Sequence, residues 1–180
     1  MKHRILYVLI FCCLIADCEA QQVIINGTAG NRPLIWEDFT GDPDKRSPWY
    51  ANTAWYLGTK VASVTFKGDT AILHGLAFNL ELDPKNSWIK KGYESDELLN
   101  HEQGHFNIAL LFQMELIKES KKIIFFRSDF GKKLASFYDS LYKKYTAMNE
   151  KYDEETRHSA NKAQQHKWDQ FFKDRFEALR

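Results

Sequence analysis

Cysteine is the first thing this 180-residue sequence runs short of. All three, Cys12, Cys13 and Cys18, fall within the first twenty residues. Everything after them lacks both disulfides and thiolate metal ligands, so that part of the chain relies on a packed core. Proline and glycine are sparse, four and nine, and form no run that would mark a linker, a repeat or a low-complexity tract. Excess charge of one sign is missing too. With 25 Lys+Arg against 24 Asp+Glu the net charge is +1, which gives no global field to gather nucleic acid, and no nucleic-acid partner is expected. A long apolar run is found only at Ile5–Ala16, too short to span a bilayer comfortably. The 44% hydrophobic and 14% aromatic content supplies one core and argues against disorder.

The apolar run has a meaning of its own. Lys2 and Arg4 precede it and Cys18-Glu19-Ala20 follows, the three-part layout of a signal peptide over residues 1–20. Cleavage after Ala20 leaves one domain, residues 21–180, exported to the periplasm or secreted, with no stable membrane insertion once the leader is gone. A lipoprotein would use Cys18 as its lipidated residue, and the charged Asp17 beside it disfavours that route. The triplet Asn26-Gly27-Thr28 reads as a turn.

Two textures divide the rest. From about Leu34 to Ile89, aromatic residues punctuate Gly, Pro and Asp clusters. Thr59–Phe66 and Thr70–Leu82 read as strands joined at Lys67-Gly68-Asp69 in an antiparallel hairpin, with Ile72, His74, Leu76, Phe78, Leu80 and Leu82 on one face. From Ser95 the period turns helical. Ser95 can cap a helix whose Leu98, Leu99, Phe106, Ala109, Phe112 and Leu116 continue to about Lys121. Ser128 or Asp129 can open a second, with Leu134, Phe137, Leu141, Tyr145 and Met148 on a stripe. A third runs from near Thr156 to Leu179, its apolar positions Ala160, Ala163, Trp168, Phe171, Phe172 and Phe176. The polar stretch Tyr152–His158 reads as a break between the last two. The expected fold is α+β: an N-terminal antiparallel sheet, then three main helices.

The first of those helices carries His101-Glu102-Gln103-Gly104-His105, an HExxH pattern. Histidines four apart project from one helix face, so both imidazoles can reach a single zinc ion. Glu102, beside the first of them, can take the proton of a water activated by that ion. With six His and twelve Glu, chance places this pattern in roughly one such chain in eighty. Its position inside an independently helical, apolar-flanked segment strengthens the reading.

A catalytic zinc usually takes three protein ligands. Ile108 and Leu111 occupy the positions where a metzincin would have Gly and His, which excludes that class. Glu115 and Glu119 lie about 15–21 Å along the same helix from His105, too far to share an ion. Glu150 stays open as a carboxylate alternative. His158, in the polar break, is the better candidate; His166 follows it, and His74 reads as a hydrogen-bonded core histidine. Tyr152 could donate to an oxyanion, and Asp153 could orient a ligand histidine or cap the third helix.

These residues carry a resemblance. Leu34, Trp36, Asp38 and Phe39, then Ser87-Trp88-Ile89, the run Leu98–Phe106, and Tyr152-Asp153, Thr156, His158 and Trp168 are similar to the bacterial family catalogued as domain of unknown function 922, grouped with zincin-like metallopeptidases. The resemblance implies a zincin-like fold with one zinc ion, His101 and His105 as ligands, Glu102 as the catalytic residue and His158 as third ligand. Two positions depart from the pattern: Asn107 stands in place of an acidic residue and Ser159 in place of Gly. The expected activity is hydrolysis of a peptide or protein substrate. The alternatives are a zinc-binding cell-envelope module without catalysis, and a zinc amidase acting on non-protein amides.

Overall fold

The computed structural model describes residues 22–179. The expected signal peptide and the lipoprotein alternative at Cys18 lie outside them. Among the described residues no helix is long and apolar enough to cross a membrane.

Strand β1 (Val23–Ile25) turns at Asn26-Gly27 into β2 (Thr28–Ala29), pairing Ile25 with Thr28. Both turn residues have positive φ, 50° and 73°, the left-handed pair that an Asn-Gly hairpin needs. A 3-10 turn follows over Trp36–Asp38. Asp38 is buried and held by Arg32 through two hydrogen bonds of 2.6 and 2.7 Å, by the Asn26 amide at 2.6 Å, and by the Ile35 backbone N–H. Burial pushes its carboxyl up, but the Arg32 guanidinium and that N–H outweigh it and hold the group below its ordinary value.

Next come β3 (Ala51–Asn52), β4 (Trp55–Lys60), β5 (Ser63–Lys67), β6 (Thr70–His74), β7 (Ala77–Leu82) and β8 (Trp88–Ile89). The main sheet has the order β2-β1-β7-β4 and is mixed, since β1 lies parallel to β7 while β4 is antiparallel to it. The antiparallel expectation thus holds for its hairpins but not for the N-terminal strand, which inserts beside β7. The pairs β3–β8 and β5–β6 are antiparallel, and β5–β6 turns at Gly68-Asp69 as expected.

The single strand expected over 70–82 is two. Gly75, at φ 61°, breaks it and sends its halves to different sheets. Phe78, Leu80 and Leu82 are fully buried on β7, whereas Ile72 and His74 on β6 are exposed. His74 is therefore no core histidine. Its Nε2 meets Thr65 Oγ1 at 2.8 Å on the surface.

Helix α1 (Asp96–Ser120) is capped as expected, the Ser95 hydroxyl accepting from the Leu98 N–H. It packs on β7 and β4 with one face and on α2 (Phe130–Thr156) and α3 (Lys162–Leu179) with the other. That sandwiching explains why Ile108, Ala109, Leu110, Leu111 and Phe112 are all buried in succession. Gln113 donates to the carbonyls of Gln22 and Phe78, tying the helix to the sheet. Strand β9 (Phe125–Phe126) joins β6 between α1 and α2. Helix α2 does not break at Tyr152. It runs through Asp153, Glu154 and Glu155, and the connection to α3 is only residues 157–161. Ala160 and Ala163 are exposed, so the buried side of α3 is carried by Gln165, Trp168 and Phe172.

Candidate metal centre

The HExxH pattern lies on the second and third turns of α1, where His101, Glu102 and His105 are all buried or nearly so. One turn apart, the two imidazoles bring their Nε2 atoms within 3.2 Å of each other. Their far nitrogens are already engaged. His105 Nδ1 lies 2.8 Å from Asn149 Oδ1, and His101 Nδ1 faces Gln165 Oε1 at 3.3 Å and Thr156 Oγ1 at 3.4 Å. The Thr156 hydroxyl donates to the Tyr152 carbonyl, so its oxygen is free to accept. In the neutral rings these acceptors hold the proton on Nδ1 and leave Nε2 as a lone pair aimed into the cleft.

What faces those lone pairs is a carboxylate. Asp153 Oδ1 stands 3.2 Å from His101 Nε2, 3.1 Å from His105 Nε2 and 3.2 Å from His158 Nδ1. Despite this company the oxygen is buried with no satisfactory hydrogen bond. Acceptor atoms converge on acceptor atoms, an arrangement that is stable only around a positive charge. A proton on an imidazole can meet the same demand, turning Nε2 from acceptor into donor. Burial lowers His105, but Asp153, Glu102 and Asn149 outweigh it and raise the imidazolium to about 9. Asp153 is pushed up by burial and pulled far below the carboxylate range by His101 and His105. Burial, opposed by Asp153, lowers His158. The ligand atoms of His101, Asp153 and His158 lie within 4.8 Å of one another and could hold a metal ion.

The cluster opens on a cleft of about 430 Å³ walled by Trp49, Tyr50 and Thr53 on one side and by α1 and the end of α2 on the other. Glu102 lines it, its Oε2 accepting a 2.5 Å hydrogen bond from the Thr53 hydroxyl. His158 enters from the opposite wall, stacked on Trp49 with ring centroids 3.4 Å apart. Its backbone is unusual. Arg157, His158 and Ser159 all have positive φ, 49°, 49° and 75°, in a left-handed turn closing α2. Ser159 therefore bears a strain that glycine would avoid.

Tyr152, expected as an oxyanion donor, is not among the cleft's walls. It is fully buried behind His101, stacked on that ring at 4.8 Å, and its hydroxyl donates to the His101 carbonyl while accepting from the Gln165 amide. Its ring fits only because residue 104 is glycine: a Cβ there would collide with Tyr152 Oη and Cζ. The structure makes Tyr152 a support for His101. Asn107, expected as a departure in this motif, accepts from the Gln103 amide away from both imidazoles and leaves the histidine partners intact. Glu115 is engaged by Lys144 and Tyr145 and Glu119 by Lys122; Glu150 and His166 are exposed.

Asp153, read from the sequence as an orienting partner of a histidine or a helix cap, stands at the centre of the cluster; Thr156 was read only as part of the family resemblance, and Asn149, Gln165 and Thr53 went unnoticed. A signal existed: Asn149, Tyr152, Asp153 and Thr156 recur at three- and four-residue spacings, a polar stripe along one helix face.

The family model described as a bacterial protein of unknown function, DUF922, matches residues 42–160. The chain belongs to this family. The DUF922 span reaches from ahead of β3 to just past His158 and so contains every side chain that converges on Asp153 Oδ1. No curated protein and no solved structure matches the chain.

Proposed function

We propose that this protein is a zinc-dependent peptidase whose ion is held by His101, His105 and Asp153, with His158 as a fourth, displaceable donor and Glu102 as general base. The observation that carries the reading is the buried Asp153 oxygen, ringed at 3.1–3.2 Å by imidazole nitrogens yet lacking a donor. Donors around a tetrahedral zinc at about 2.0–2.1 Å stand about 3.3–3.4 Å apart, close to those separations. Nitrogen and carboxylate donors without thiolate suit zinc. Asp153 joins the expected ligands, and His158 belongs to the same metal-capable group; in this reading Asp153 is the firmer donor because it comes from a regular helix while His158 rides on a left-handed turn.

When bound, zinc supplies a Lewis acid that polarises a carbonyl and acidifies water. The protein does the rest. Thr53 orients the Glu102 carboxylate, which accepts the proton of the attacking water and returns it to the leaving amine. Gln165, Thr156 and Asn149 fix the imidazole tautomers, and Trp49 and Tyr50 form the wall along which an extended chain can lie.

One observation favours a second reading. Four protein donors on one ion would leave no open position, the signature of a structural site, and the protein would then be a zinc-binding module without catalysis. Zinc analysis combined with a peptide panel separates the two. Hydrolysis by wild-type protein that disappears in Glu102→Ala while zinc is retained supports the peptidase. Full zinc occupancy with no hydrolysis in either wild type or His158→Ala supports the closed module.

A further inference from the structure

The small sheet β5–β6–β9 lies at the C-terminal end of α1, about 22 Å along the helix from His105. It concentrates two properties that the rest of the chain disperses. Phe66, Ile72, Ile124 and Phe126 are 42%, 41%, 63% and 43% exposed. Ile72 and Phe126 share its outer face, because Phe126 pairs with Thr70, two residues from Ile72 on β6. Around them the segments 63–74 and 117–133 carry seven Lys and Arg against three Asp and Glu, a net +4, where the whole chain carries +1. The remainder is therefore acidic, and the molecule is electrically polar.

The cations sit among the apolar tips. The Arg127 guanidinium lies 4.3 Å from the Phe66 ring centroid and the Lys133 ammonium 5.4 Å from that of Phe126. We infer that this face docks peripherally on an anionic lipid surface, Ile72, Ile124 and Phe126 entering the interface and the exposed lysines meeting headgroup phosphates, while Phe66, opposite Ala71 on the other face, stays at the rim. The charge complementarity is of the diffuse kind a fluid bilayer offers: Lys67, Lys118, Lys121 and Lys132 are exposed on flexible stems beside shallow apolar tips, while Lys122 is paired with Glu119 and Lys133 with the Ile124 carbonyl. Base stacking or phosphate tracking on nucleic acid would leave exposed Ile72 and Ile124 without purpose. Such docking needs no membrane-spanning helix, and it is independent of the metal centre.

Cosedimentation with vesicles tests this, using protein beginning at Gln21 so that the apolar leader does not bind lipid itself. Wild type is expected to sediment with vesicles of phosphatidylcholine plus phosphatidylglycerol and not with phosphatidylcholine alone. The pair Lys121→Glu with Lys132→Glu, and separately Ile124→Ser, should each weaken binding at least about tenfold. All these side chains are exposed, and an unchanged melting temperature shows that the fold is intact. Wild type left in the supernatant with anionic vesicles, or variants binding as well as wild type, overturns the inference. So does binding to a soluble polyanion that Ile124→Ser leaves undiminished in the absence of vesicle binding.

Discussion

Two stretches meet at the candidate metal centre, and they are built by opposite rules. The start of α1, from the Ser95 cap through Phe106, is regular helix whose caps, apolar spacing and histidine spacing agree with one another. The end of α2 and its turn, Asp153 to Asn161, break local preference. A carboxylate faces lone pairs, and three successive non-glycine residues take left-handed backbone. The first stretch follows local preference and supplies two fixed imidazoles. The second is held in place by what surrounds it: Gln165 and Thr156 against His101, Asn149 against His105, and Trp49 against His158. Strain kept at one side of a cleft, opposite a rigid side, is what the proposed function would require, since such strain clusters at functional sites.

Breaking each side in turn gives different signatures. The largest effect is expected from Glu102→Ala, on the regular side. Turnover of a cleaved peptide should fall by about a thousandfold while zinc content by elemental analysis stays at the wild-type level. Gly104→Ala comes next. Its new Cβ displaces Tyr152 from behind His101, and the overpacking should destabilise the protein by about 2 kcal/mol, lowering the calorimetric melting temperature by about 4–8 °C. Gln165→Ala removes the acceptor behind His101 and a donor to Tyr152, and should weaken zinc affinity by about 10–100-fold in a chelator competition. The smallest change is expected on the strained side and has the opposite sign. Ser159→Gly relieves a positive φ and should stabilise by about 1 kcal/mol, readable as a rise in denaturant midpoint at unchanged slope.

The same contrast explains what the sequence could say. Helix α1 was readable because Ser95, Asp96 and the Leu98–Leu116 spacing speak locally, and the two histidines four apart need only helix geometry to converge. The strands were readable as β structure but not as a sheet order. Gly75 looks like one residue inside a strand, and only tertiary pairing shows that it separates β6 from β7. Polar residues misled at α2. Tyr152-Asp153-Glu154-Glu155 reads as a break because charge usually marks a loop. Here Glu154 is solvated while Tyr152 and Thr156 are buried and Asp153 turns toward the imidazoles, so one segment serves both water and site. Asp153 was visible as a possible partner of a histidine. Its meeting with three of them depends on how α2 lies across α1, which no local pattern encodes.

The most direct measurement is the zinc content of protein purified without chelator, set beside that of Asp153→Ala and His158→Ala. About one equivalent in wild type, lost in Asp153→Ala and retained in His158→Ala, is the expected result. Wild-type protein without bound zinc, or an Asp153→Ala variant that keeps it at full affinity, would contradict the assignment of this cluster as a zinc site built on Asp153.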